Sequence, residues 1–236
     1  MSWHAHLAAR LDCKTVYTMK RGARKTTRTS STDESVVFVV DDDQVMLGAL
    51  SSLFRSVGLS VVTFESAADL LQYRLPDIPS CLVLDIRLPR LSGLDLQAEL
   101  RASGVMIPII FITGHGDIPM SVRAMKAGAI DFLTKPFRDW EILDAVTDAL
   151  KRDRERRKEE KSNSDIHTRL ASLTPRQRQV MSLVTSGLLN KQIAAEIGLA
   201  EMTVKIHRAH VMRKMGARSL ADLVMIAERL GVRGRN

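Results

Sequence analysis

The pattern of hydrophobic and polar positions divides the chain into four stretches. Residues 1–34 show no apolar periodicity. From 35 to 150, short apolar runs alternate with longer amphipathic ones. Residues 36–40 (Val-Val-Phe-Val-Val) are too short for a helix and suit a strand buried on both faces. Leu47, Leu50, Phe54 and Val57 then recur at helical spacing and stop at Gly58, where a left-handed residue commonly ends a helix. The alternation continues with strands over 60–64, 81–84, 107–112 and 130–133. Between and after them lie a short helix capped by Ser66, helices over 93–101 and 117–127, and a last one running from 138 past 150. Five strand–helix units in succession predict an α/β domain, a doubly wound five-stranded parallel sheet with helices on both faces.

Residues 151–161 are almost wholly charged, with both signs mixed, and can extend the last helix as a solvated segment. Ser162-Asn163-Ser164 is expected to break it, so 151–168 reads as a charged, flexible linker, with a dimer-contacting helix as the other reading. Residues 169–236 predict a small all-α domain. Thr174-Pro175 is a helix start, an N-cap followed by proline at the first helical position. Val180, Leu183 and Val184 give that helix its apolar face before Gly187. A second helix over 190–197 ends at Gly198, a third over 201–215 ends at Gly216, and Ser219 caps a fourth. A short helix, a tight turn and a longer helix form a helix-turn-helix signature.

Composition narrows the function classes. The chain has 236 residues, 45% hydrophobic and 26% charged, which excludes wholesale disorder. The longest uncharged run, 102–116, contains Gly and Pro and is shorter than the roughly 20 apolar residues of a membrane span. No apolar segment follows the N-terminal basic residues as in a secretory signal. Two cysteines, Cys13 and Cys81, cannot build a disulfide framework, and a reducing cytoplasm fits. Charge is unevenly spread. Residues 35–150 carry nine basic and fifteen acidic side chains, a net −6, whereas 167–236 carry twelve and four, a net +8. That asymmetry predicts different partners for the two domains, the second being nucleic acid. The 1–34 segment, basic and rich in Ser and Thr, is expected to be disordered. It reads alternatively as an extension from an upstream start codon, with Met19 the true start, as an imitation of an organelle transit peptide, or as a basic arm on DNA.

The candidate chemistry lies where the strands end. Strand one runs into Asp41-Asp42, strand three into Asp85 and strand four into Thr113, and Lys135-Pro136 follows strand five. Open α/β sheets bind ligands beyond the carboxyl ends of their strands, at the switch point of strand order. In a 2-1-3-4-5 order the three aspartates converge there, with Thr113 and Lys135 arriving from the next two strands. Carboxylates so close repel unless a cation joins them, and an all-oxygen set favours Mg2+. Magnesium beside an exposed aspartate is a setting for aspartyl phosphate, with the carboxylate as nucleophile and the lysine and hydroxyl neutralising the transferred group.

These segments resemble a known family. Residues 39–43 (Val-Val-Asp-Asp-Asp), 82–93 (Leu-Val-Leu-Asp-Ile-Arg-Leu-Pro-Arg-Leu-Ser-Gly), 112–117 (Ile-Thr-Gly-His-Gly-Asp) and 129–137 (Ala-Ile-Asp-Phe-Leu-Thr-Lys-Pro-Phe) are similar to the flavodoxin-like receiver domain of bacterial response regulators. The resemblance implies that Asp85 is the phosphoacceptor. Asp42 would be the main magnesium ligand, Asp41 would assist, and Asp85 and the backbone carbonyl of Arg87 would complete the set. Thr113 and Phe132 match the switch pair, Lys135 the phosphate-binding lysine, and a cis Lys135–Pro136 bond is implied. Asp43 fits an often acidic position or an N-cap. Haloacid-dehalogenase-type phosphatases also use an aspartate nucleophile, but their second acid falls on Arg87 here, so no enzyme is expected.

On the third helix of the basic domain, Val204, Val211 and Met215 point inward, while Met202, Lys205, Ile206, Ala209 and Arg213 share another stripe. Cations mixed with small apolar groups suit a major groove. Lys205 and Ile206 are expected to read bases, and Lys191, Thr203 and Lys214 to touch phosphates. His207, Arg208 and Arg213 also belong to the expected DNA surface. Residues 173–180, 187–194 and 203–207, followed by Arg213-Lys-Met215, resemble the LuxR-type helix-turn-helix domain. The two resemblances together imply the NarL/FixJ class, with the receiver nearest the FixJ branch. Three departures stand out. Gln177 and Gln179 replace the usual glutamates, Ala200 replaces the usual capping Ser, and Ala209 is small where some relatives carry a base-reading Lys.

The expectation is therefore a cytoplasmic transcription regulator. It would be phosphorylated by a partner histidine kinase, form a homodimer on phosphorylation, bind double-stranded promoter DNA and meet RNA polymerase, with no membrane contact. The alternative is a phosphorylation-independent DNA-binding factor with a degenerate receiver. The opposite charges of the domains would let them dock and mask the DNA surface before phosphorylation.

Overall fold

The computed structural model describes residues 34–114 and 118–232. Apart from Glu34, the 1–34 segment lies outside the described residues, as do the expectations placed on it. Five parallel strands, β1 (Val36–Val40), β2 (Ser60–Phe64), β3 (Ser80–Asp85), β4 (Ile109–Thr113) and β5 (Asp131–Thr134), lie in the order β2-β1-β3-β4-β5. Helices α1 (Gln44–Ser56), α2 (Ala67–Gln72), α3 (Gly93–Ala102), α4 (Ile118–Lys126) and α5 (Asp139–Ala171) follow the strands in turn.

Alternation along the strands makes two cores. Val36, Phe38, Val40, Leu82, Leu84 and Phe111 face α2, α3 and α4. Val37, Val39, Cys81, Val83, Ile110 and Ile112 face Leu47, Leu50 and Phe54 of α1 and Ile142 and Val146 of α5. β1 is buried along its whole length, as a strand covered on both faces must be. β4 starts at Ile109 rather than 107, because Pro108 has no N–H for the ladder; its carbonyl still accepts from Leu82.

The larger departure is α5. Its 33 residues continue through Ser162-Asn163-Ser164 to Ala171. Serine and asparagine cost a helix interior less than about 0.7 kcal/mol each, too little to break one anchored at both ends. At the receiver end the fully buried Asp153 accepts the Ser80 N–H at 3.0 Å and pairs with Arg156 and Arg157. At the other end Ile166 and Leu170 enter the core of the C-terminal helices. The stretch read as a tether is thus helix throughout.

That core joins α6 (Pro175–Thr185), α7 (Asn190–Ile197), α8 (Glu201–Met215) and α9 (Leu220–Arg229) through Val180, Met181, Ile193, Val204, Val211, Met215 and Leu223. Gly198 and Gly216 close α7 and α8 in the left-handed conformation. Arg169 of α5 donates to the Met215 carbonyl at 3.1 Å, satisfying the end of α8. No described helix is long and apolar enough to cross a membrane.

Candidate functional site

β1 and β3 are neighbours, so their carboxyl ends bring Asp41 and Asp85 together. Ligand oxygens of Asp41, Asp42 and Asp85 all lie within 4.8 Å of one another. Asp41 is fully buried, Asp85 nearly so, and Asp42 is exposed. Lys135 reaches in from the loop after β5, and its Nζ donates to Asp41 Oδ2 at 2.6 Å and to Asp85 Oδ2 at 2.7 Å. Its backbone N–H donates to the Thr113 carbonyl at 2.7 Å, and the Lys135–Pro136 bond is cis.

The remaining carboxylate oxygens are also held. Asp41 Oδ1 accepts the Asp43 N–H and Asp85 Oδ1 the Arg87 N–H, both at 2.9 Å. Burial pushes the Asp41 carboxyl above its ordinary range, against the pull of Lys135. Burial alone would lower Lys135, but the two aspartates raise it above the ordinary lysine value. The lysine is therefore a fixed cation, and the exposed Asp42 leaves the cluster open on one side. Asp43 is the N-cap of α1, accepting from the N–H groups of Val45 and Met46. Thr113 is buried at the end of β4, and Phe132 on β5 is half-buried against the α2–α4 side of the core.

One contributor escaped sequence reasoning. A Cβ on Gly93 would lie 2.5 Å from the Asp85 carbonyl oxygen, and the Gly93 N–H donates to the Ile86 carbonyl at 2.9 Å. Gly93 thus folds the loop after β3 tightly back beneath Asp85. The only sequence signal was its place at the end of the 82–93 motif.

The second candidate surface is α8. Met202, Lys205, Ile206, Ala209 and Arg213 are all exposed, while Val204, Val211 and Met215 are buried. Met202 and Ile206, one helical turn apart, keep 66% and 50% of their surface accessible and so put apolar groups beside Lys205 on the exposed face. Lys191 is exposed at the start of α7, and Thr203 is half-buried. Arg208 donates to Asn190 Oδ1 at 3.2 Å, tying α8 to α7. His207 is half-buried, and its Nδ1 has no partner among the described residues.

Lys214 also has partners within its own domain. Its Nζ donates to the Ser172 carbonyl at 2.7 Å and to Gln177 Oε1 at 3.0 Å, linking α8 to the start of α6. Gln177 Oε1 also accepts the Thr174 N–H, completing the capping box of α6. The glutamine keeps as hydrogen bonds part of what a glutamate would supply as an ion pair. Ala200 opens α8 with no side-chain cap.

Residues 37–147 match the response regulator receiver domain family, and residues 171–227 match the LuxR family of bacterial regulatory proteins. The chain belongs to the response regulators that join a receiver to a LuxR-type DNA-binding domain. Among relatives of this family, it is 59% identical over 204 residues to nodulation protein W of Bradyrhizobium diazoefficiens, covering 86% of this chain and 90% of the relative. It is 50% identical over 196 residues to response regulator protein TodT of Pseudomonas putida, covering 83% and 86%. The solved response regulator StyR is 49% identical with a TM-score of 0.78, covering 83% of this chain and 99% of StyR. Full-length FixJ from B. japonicum is 40% identical with a TM-score of 0.51, covering 85% and 98%. As a response regulator of this class, the protein is a transcriptional regulator. Its receiver implies a histidine kinase partner, and its LuxR-type domain implies DNA binding.

Proposed function

We propose that a histidine kinase transfers a phosphoryl group to Asp85, and that the modified protein dimerises and binds a two-fold promoter site. The observation that supports this reading is the clamp of Lys135 Nζ on both Asp41 and Asp85. It sets a cation where the charge of a transferred group develops. An oxygen of Asp85 attacks phosphorus, an O–P bond forms and the N–P bond to the kinase histidine breaks. The Arg87 N–H and Lys135 hold Asp85 in one orientation for that attack. Thr113 ends the neighbouring strand, where its hydroxyl would take a phosphoryl oxygen. Phe132 would follow it inward and change the face formed by α4 and β5.

The donor set fits a magnesium ion: three carboxylates within 4.8 Å, all oxygen, with one exposed side where water would complete the shell. Asp41, Asp42, Asp85 and the Arg87 carbonyl would hold it, and when bound it would neutralise phosphoryl oxygens. The protein would act in the cytoplasm, where the kinase's phosphoryl group and the chromosome meet, and would contact RNA polymerase once on DNA.

The test is incubation with a small phosphodonor such as acetyl phosphate, followed by intact mass and by gel-shift titration on promoter DNA. One phosphoryl group is expected on the wild type, none on Asp85→Asn, and none after EDTA. Labelling that survives either change refutes the assignment. DNA affinity indifferent to phosphorylation would favour the phosphorylation-independent factor instead.

A further inference from the structure

A cavity of about 280 Å3 opens at the amino-terminal end of β4 and β5, at the far end of the sheet from the aspartates. Its wall is apolar, formed by Leu100, Val105, Ile107 and Ile109 together with the half-exposed Met106. Small-ligand sites begin at about 300 Å3, with apolar walls and a few convergent polar groups. Three arginines, Arg101, Arg152 and Arg156, line this cavity, and no acid does.

The arginines are not equivalent. Arg156 is bound to Asp153 and Glu160. Arg101 and Arg152 pair with no carboxylate among the described residues. Arg101 lies over Gly128, with Nη2 2.6 Å from where a Cβ would stand, so the glycine makes room for the guanidinium at the cavity edge. Gln97, also in the lining, is 6% exposed. Its amide donates to the Ala127 carbonyl at 3.2 Å, while its side-chain carbonyl has no partner among the described residues. A buried acceptor without a donor is costly and uncommon.

We infer that this cavity binds a small carboxylate with a compact apolar body and a hydroxyl or N–H donor. The guanidinium groups of Arg101 and Arg152 would take the carboxylate by charge-assisted hydrogen bonds, the apolar wall the body, and Gln97 the donor. Arg152 directly precedes Asp153, the residue that anchors α5 on β3. A bound anion therefore ties α3 to α5 where α5 leaves the receiver toward the DNA-binding domain. The inference stands independently of Asp85 phosphorylation.

The probe is 6-hydroxy-2-naphthoate, titrated calorimetrically into the full chain, with its neutral carboxamide and inorganic phosphate as comparators. Saturable binding of the acid is expected, with weaker binding of the amide and little of phosphate, and with hydrogen-exchange protection over 97–109. The double variant Arg101→Gln/Arg152→Gln, altered at exposed positions, should lose about tenfold or more in affinity. Arg178→Gln, in the DNA-binding domain, should change nothing. Equal affinity in the double variant, protection elsewhere in the chain, phosphate binding as well as the acid, or no saturable binding below millimolar would each overturn the site.

Discussion

Asp153 is the residue whose loss should reveal how α5 is held to the receiver. It is fully buried on an otherwise charged stretch, and four donor atoms converge on it. The Ser80 N–H gives 3.0 Å, Arg156 gives two hydrogen bonds to Oδ1, and Arg157 Nε gives 2.6 Å to Oδ2. Replacing it with alanine leaves the buried Ser80 N–H without its acceptor, which costs about 1–3 kcal/mol. Removing one member of a fully buried ion pair costs about 3–5 kcal/mol. Here the arginine side chains remain 29% and 26% exposed, so water recovers part of the second cost. Asp153→Ala should therefore destabilise the receiver by about 3 kcal/mol. Arg157→Gln leaves Asp153 held by Arg156 and the Ser80 N–H, and the other partner it loses, Asp77, is fully exposed, so it should cost less than Asp153→Ala, about 1–2 kcal/mol. Urea unfolding of the full chain by circular dichroism gives both values, and hydrogen exchange at Ser80 reports the orphaned amide. Equal, small losses in the two variants, with Ser80 still protected, would refute the anchoring argument.

Ala200→Ser should restore the missing cap of α8 and raise the melting temperature of the DNA-binding domain, a gain of about 0.5–2 kcal/mol by calorimetry. Lys205→Ala should cost about 1–3 kcal/mol of DNA binding and relax the preference at one base pair, read by competition against single-base variants of the site. Lys191→Ala should lower the salt slope by about one, while Lys214→Ala, inside the domain, should lower stability and leave the slope unchanged. Lys135 is raised in the folded state by Asp41 and Asp85, so its contribution is complete below its ordinary value of 10.5 and is lost as pH rises through the higher folded value. Stability titrations of wild type and Lys135→Met in EDTA should therefore converge at strongly alkaline pH and stay apart near neutrality.

The receiver was legible because its signals are local and redundant. Uninterrupted apolar runs mark strands buried on both faces, and polar residues right after them mark the ends where ligands gather. The inward and outward faces of α8 followed from helical spacing alone. The continuity of α5 was not legible, since Ser162-Asn163-Ser164 reads as a break until the buried contacts on either side of it are known. Asp153 is set apart from the neighbouring acids by its burial against the Ser80 amide, 73 positions away. The contacts of Lys214 were not legible for the same reason. Its acceptors, the Ser172 carbonyl and Gln177, lie 42 and 37 residues earlier, beyond the reach of any periodicity. Gly93 was visible only as the last letter of a motif, since its function is to permit a close backbone approach that leaves no side-chain trace.

The unbroken α5 also sets a rule of phase. One surface of this helix, with Ile142, Val146 and Asp153, belongs to the receiver, and a later surface, with Ile166 and Leu170, belongs to the core of the C-terminal helices. Each residue added between them turns the second surface by about 100° about the helix axis and advances it by about 1.5 Å. Two added residues would swing it by about 200°, nearly to the opposite side, whereas seven would bring it back to within about 20° of its starting angle, a little over 10 Å further along. A random-coil linker would change only the reach between the two surfaces, but in this continuous helix a change of length across 154–165 resets their relative angle as well as their separation.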